Sequence, residues 1–344
     1  MVLPLQALLY QSMKNDKRFI IFITFCLVLF TYPCSLHAQS NSGYDSNYYK
    51  IYPKALTARF YFSKKYSAFT LPAFNNEADL QYRPNTNLTT GLGATYQNIS
   101  LNLSYGFGFL NHDDAKGKTK SVDLELHVYP TKWAVDVLAI FHKGLYLHPE
   151  NNATANSYYY RPDVNQHIMG LGAYRVLNAD RFSYNAAMIQ SEWQKKSAGS
   201  LLLGGQVYYG LIKGDSSLVP KQLESSFTKT DINRINFFSV GPGIGYAYTM
   251  VIQKHFYITG SLIANLNFNF SSEETINAKH NKVAVNPGAV YKASIGYNSD
   301  NWNISANWAG SSLWVKGASS AGNYFVPTGN YRFILAKKIL LKKR

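Results

Sequence analysis

Apolar and polar residues trade places at every step along much of this chain, for about ten residues at a time. The clearest run sets Ile99, Leu101, Leu103, Tyr105, Phe107 and Phe109 against Ser100, Asn102, Ser104, Gly106 and Gly108. A period of two means β-strand, because successive side chains point to opposite faces. Segments of this kind are predicted at 54–63, 77–83, 87–96, 99–110, 119–129, 133–146, 164–177, 181–193, 199–213, 235–251, 255–270, 285–298, 301–315 and 324–336. No helical stripe of comparable length interrupts them. The fold class is all-β. Fourteen segments are counted, and the reading is an antiparallel transmembrane β-barrel of about 12–16 strands.

The spacing of the segments supports hairpins. Gln97-Asn98, Pro130-Thr131, Asn178-Ala179-Asp180, Gln253-Lys254 and Asn298-Ser299-Asp300 read as tight turns. Longer polar loops are expected at 111–118, 147–163, 214–234, 271–284 and 316–323, with an extra short strand near 221–230. Short turns at one end and long loops at the other fit an outer-membrane barrel. A soluble β-sandwich or lipocalin-like barrel is the rival, and it places the apolar face inside. Segment length favours the membrane, since sandwich strands are usually about 5–6 residues long.

Ahead of the first segment, Lys14, Lys17 and Arg18 precede an apolar run from Phe19 to Phe30, and Ser35-Leu36-His37-Ala38 follows. This reads as a signal peptide over 1–38 that begins at Met13, with residues 1–12 an upstream extension. Residues 39–53 are a periplasmic lead-in, 54–337 the barrel and 338–344 a basic C-terminal tail. Both cysteines, Cys26 and Cys34, fall in the leader, so the mature chain holds no disulfide and no thiolate metal site.

The formal charge of +15 raises the question of nucleic acid. In an exported chain it fits anionic lipid headgroups and solvated ends better. Five of the positive charges crowd the end, at Lys337, Lys338, Lys342, Lys343 and Arg344. Charged residues are 15% of the chain and aromatic ones another 15%, a balance that argues against disorder and suits aromatic girdles at two lipid–water boundaries.

No motif carries a cofactor. Gly241-Pro242-Gly243-Ile244-Gly245 lacks dinucleotide spacing, and Gly117-Lys118-Thr119 has no helix after it. The histidines are scattered, without zinc spacing. Asp123 and Glu125 stand about 6.5–7 Å apart along a strand, within reach of glycosidase geometry. The stronger reading is a lumen ion network. Arg59, Asp79, Arg83, Asp123, Glu125, Arg175 and Arg332 are its expected members, because a charge facing lipid at the midplane costs about 2–4 kcal/mol. The acids of 119–129 would meet basic partners across the lumen.

Several blocks form a distinctive set. They are Tyr82-Arg83-Pro84-Asn85-Thr86, Gly91 to Tyr96, Trp193-Gln194-Lys195-Lys196-Ser197-Ala198-Gly199, Gly214-Asp215-Ser216, Asn236 to Tyr248 and Pro327-Thr328-Gly329-Asn330-Tyr331-Arg332. Together they resemble an uncharacterised family of exported proteins from Bacteroidetes-type Gram-negative bacteria, a domain of unknown function. The resemblance spans about Tyr48 to Lys337. It implies an outer-membrane-like β protein and supplies no substrate or catalytic residue.

The expected function is therefore a non-enzymatic, porin-like outer-membrane barrel, either a narrow pore or a filled structural barrel. It would contact outer-membrane lipid and, through its long loops, an envelope protein partner, with no nucleic acid and no cofactor. One alternative is a membrane-embedded lipid or glycan hydrolase, which requires a Ser/His or Glu/Asp pair to converge at the rim. The other is an accessory subunit of a secretion or envelope-assembly machine.

Overall fold

The computed structural model describes residues 43–74, 78–96, 99–107, 109–110, 113–130, 132–147, 158–320 and 322–341. The chain divides into two units, Met1–Gly43 and Tyr44–Arg344, and the following concerns the second. The expected leader lies outside the described residues. No helix among those described is long and apolar enough to cross a membrane, which says nothing of strands.

Eight long strands form the continuous wall. They are β8 (Trp133–Leu147), β9 (Tyr159–Val176), β11 (Ala198–Lys213), β12 (Arg234–Ile252), β13 (Phe256–Glu274), β14 (Lys279–Asn298), β15 (Trp302–Lys316) and β16 (Asn323–Leu340). Each is 15–20 residues long, and each pairs antiparallel with the next. The sector between β16 and β8 is filled in two ways. At one end, β3 (Phe69–Leu71) and β4 (Leu80–Arg83) link β16 to β8 and close a ten-stranded antiparallel ring. Along the rest, β2 (Ala55–Ser67), β5 (Thr89–Tyr96) and β6 (Ile99–Gly106) extend from β16, and β7 (Lys120–Val128) extends from β8. Among the described residues no backbone ladder joins β6 to β7. The end with β3 and β4 is here the loop end, the other the turn end.

Facing follows the alternation. On β13, Leu262, Leu266 and Phe268 are 61%, 55% and 49% exposed, while Asn265, Asn267 and Asn269 between and beside them are buried. On β2, Phe60 and Phe62 are exposed, and Thr57, Arg59 and Ser63 are buried. The polar face is inside, the reverse of the soluble rival. In water, an apolar exterior this extensive would be an aggregation surface. In hydrocarbon it is the favoured arrangement.

Several elements differ from the expectation. Residues 181–193 form no long strand. They hold a short helix, α1 (Tyr184–Met188), capped by Ser183, whose hydroxyl accepts from Ala186 N–H. Alternation misleads here because Phe182, Ser183, Tyr184, Ala186 and Ala187 are all buried, so the segment has no lipid face. The tight turn expected at Asn178-Ala179-Asp180 is the start of this insertion. Residues 221–230 contain a 3-10 turn at Lys221–Ser226 and no strand. Most of 271–284 belongs to β13 and β14, which leaves four residues between them. β16 runs to Leu340, so Lys337 and Lys338 are strand residues, and Lys338 is buried with its ammonium on Asn298 Oδ1 (2.8 Å) and Ser299 O (2.9 Å). In the lead-in, β1 (Tyr49–Lys50) pairs with β10 (Trp193–Gln194).

At the loop end the interior becomes apolar. Leu80, Leu145, Ile212 and Ile235 are fully buried, and Phe69, Leu147, Ile168, Phe237 and Leu313 nearly so. A bulge in β8 between Lys143 and Leu145 helps to turn Leu145 and Leu147 inward. Gly144 makes it possible: its φ is +82°, and a Cβ there would sit 2.6 Å from Lys118 O.

Candidate functional site

Two insertions fill the barrel. At the turn end, residues 177–197 fold into the lumen and bond to its walls. Arg59 Nη1 on β2 donates to Ile189 O (2.6 Å) and Ser294 Oγ on β14 to Ala187 O (3.2 Å). Asn307 Nδ2 on β15 donates to Met188 O (3.4 Å), and Tyr184 OH bonds Ser261 Oγ on β13 (2.5 Å). Buried carbonyls at the end of a short helix need such partners, and the polar lumen wall supplies them. Glu192 is also enclosed, held by the Ser183 hydroxyl and the Asn185 amide. Burial pushes its carboxyl above the usual range against those two bonds. At the loop end, Leu218, Val219 and Ile232 from residues 214–233 complete the apolar core.

Between these fillings lies a cavity of about 80 Å³. Its walls carry a charge network. Asp136 on β8 accepts from Tyr129 OH (2.7 Å), lies 2.7 Å from His127 Nδ1, and pairs with Lys292 of β14 on the far wall. The Lys292 ammonium also lies over the rings of Tyr129 and of Tyr184 in the plug, at 4.8 and 5.2 Å. Glu125 on β7 pairs with Arg332 of β16, accepts from Asn330 Nδ2 (3.1 Å) and lies 3.5 Å from Lys65 Nζ. Asp123 accepts from Ser121 Oγ (3.0 Å), lies 3.8 Å from Lys65 Nζ, and stands 3.2 Å from His142 Nε2.

Of the seven residues expected in such a network, the structure brings Asp123, Glu125 and Arg332 together. Arg59 is buried apart from them, on Ile189 O and Ser100 Oγ. Asp79 is exposed and accepts from Ala73 N (3.0 Å). Arg83 is exposed and bonds Gln81. On β4 the inner positions belong to Leu80 and Tyr82, because the core at this end is apolar. Arg175 is exposed on the outer face of β9, since Tyr174 and Val176 take the inner positions, and its cross-strand neighbours are Trp133 and Leu203.

Lys65, His127, Asp136, His142 and Lys292 complete the network; the alternation puts His127 on the inward face with Asp123 and Glu125, and the other four were not among the expected members. Their signal was parity: Lys65 continues the Arg59, Tyr61, Ser63 face beyond the strand end expected at 63, and Asp136 and Lys292 are lone charges within apolar runs. No group of three or more His, Cys, Asp or Glu among the described residues is arranged to hold a metal ion.

Solved structures similar to this chain include outer-membrane proteins. The outer membrane protease OmpT from Escherichia coli matches at 9% identity and a TM-score of 0.37, covering 85% of this chain and 98% of that one. Ail, the attachment invasion locus protein of Yersinia pestis, matches at 9% identity and 0.19, covering 83% and 99%. The outer membrane protein OprG from Pseudomonas aeruginosa matches at 12% identity and 0.21, covering 86% and 99%. A search of curated proteins returns no match. A family model does match, over residues 43–332, and by that match the chain belongs to the family described as a domain of unknown function, DUF4421.

Proposed function

We propose that this chain is an outer-membrane barrel of a Gram-negative envelope, exported on a removable leader, with a filled and non-conducting lumen. The observation that carries this reading is the double closure. Residues 177–197 are bonded to four wall strands at the turn end, and an apolar core closes the loop end. An apolar core excludes hydrated ions, because leaving water without polar replacement is costly. Outward Tyr96, Trp133, Tyr248 and Trp302 near the turn end form one aromatic girdle, and bilayer lipid covers the apolar belt beyond it. Lys337 lies over the Trp302 ring at 4.9 Å, a position suited to anionic headgroups.

Planar-bilayer recording of purified, folded protein tests this directly. A flat current trace at all applied voltages is expected. Stepwise conductance that disappears when the protein is heat-unfolded before addition would overturn it.

A further inference from the structure

The lumen cavity contains a second arrangement, which shares Asp123 and His142 with the charge network and adds a serine to them. Ser67 at the end of β2, His142 on β8 and Asp123 on β7 stand in line. Ser67 Oγ lies 3.3 Å from His142 Nδ1, and His142 Nε2 lies 3.2 Å from Asp123 Oδ1. All three line the cavity, with Ser67 and His142 each 4% exposed. The contact to Asp123 lies off the line of a hydrogen bond. Resting catalytic sites are commonly looser than their substrate complexes. A fourth residue contacts the serine. Gln166, fully buried on β9, accepts from Ser67 Oγ at Oε1 (3.3 Å) and so helps to hold the hydroxyl in place.

We propose that Ser67, His142 and Asp123 form a serine esterase site inside the barrel. The chemistry balances with water alone. Ser67 Oγ attacks the ester carbonyl carbon, and its proton passes to His142 Nδ1. The acyl C–O bond breaks, and the alcohol leaves with that proton. Water then attacks the acyl-serine, giving up a proton to His142, and the carboxylic acid departs as Ser67 regains its hydrogen. Asp123 is a positioning residue: it holds His142 in the tautomer with Nε2 protonated and steadies the imidazolium.

Size sets the substrate class. A cavity of about 80 Å³ accepts a short acyl group and not a long chain. Its β7 wall carries Asp123 and Glu125, and among the described residues that strand has no backbone ladder to β6. The substrate class is a short-acyl carboxylic ester.

Detergent-folded protein, with folding verified by heat-modifiable migration, is treated with a small alkyl fluorophosphonate and digested for mass spectrometry. The expected result is a single modification on the peptide containing Ser67, absent in Ser67→Ala. Hydrolysis of p-nitrophenyl acetate should exceed that of the palmitate ester and vanish in Ser67→Ala. His142→Gln should slow labelling by about 100-fold or more. Folded wild-type protein that takes no label, or a label that persists in Ser67→Ala, would overturn the proposal. Labelling reads this site whether or not the lumen conducts, so the two proposals fail separately.

Discussion

Replacing Lys292 by Met removes the charge that bridges β14 to β8. The Lys292 side chain is 6% exposed and that of its partner Asp136 is 22% exposed. An exposed pair would be worth at most about 1 kcal/mol. Breaking a buried pair costs about 3–5 kcal/mol, because the surviving charge is stranded. Asp136 keeps some cavity exposure and two other partners, His127 and Tyr129. The low end applies, so Lys292→Met should destabilise the folded barrel by about 3 kcal/mol. Asp136→Asn should cost a similar amount by stranding the ammonium. The double variant strands nothing, and its loss should fall short of the sum by at least about 1.5 kcal/mol. Urea unfolding in a lipid-bilayer system, followed by tryptophan fluorescence and gel mobility, supplies the four free energies of the cycle. Additivity within about 0.5 kcal/mol would refute the reasoning, since sites that do not interact behave that way.

Gly144→Ala should destabilise by about 2 kcal/mol or more, seen as a lower unfolding midpoint. The residue would hold φ at +82° and place its Cβ 2.6 Å from a backbone oxygen. Glu192→Gln should stabilise the plug at neutral pH. A carboxyl whose folded value is raised contributes stability that is complete below its unfolded value, near 4.5, and lost as pH rises through the folded value. The variant should therefore flatten the stability profile just above pH 4.5 and match wild type below it. A profile unchanged by the substitution contradicts the burial argument. Hydrogen exchange across 184–190 reports the plug itself: protection near that of the wall strands is expected, and rapid exchange would show that it does not stay docked.

The wall was legible because lipid and lumen impose opposite demands on alternate residues. Leu262 and Asn265 can be assigned to faces from the sequence alone. The insertions were not legible for the same reason. Phe182 and Tyr184 alternate with polar residues as strand positions do, but protein surrounds the segment on every side. The loop-end interior hid likewise, since Leu80 and Tyr82 look lipid-facing until the core behind them is known. Of the candidate site, Asp123, Glu125 and Arg332 could be drawn from parity. Their partners could not, because barrel shear decides which residues meet across the lumen. Lys292 and Asp136 are separated by 156 positions, and Ser67 and His142 by 75. Nothing local in the sequence announces either contact.

The central claim is a membrane-spanning wall with apolar residues outward and polar residues inward. Single cysteines at 266, 267 and 268 on β13 test it most directly, in protein folded into lipid vesicles and carrying a spin label at each site. Labels replacing Leu266 and Phe268 should be quenched by oxygen dissolved in the bilayer and shielded from a water-soluble nickel complex. A label replacing Asn267 should show neither strong lipid contact nor free mobility, consistent with its complete burial. Strong oxygen contact at 267, with 266 and 268 immobilised inside, would contradict the account.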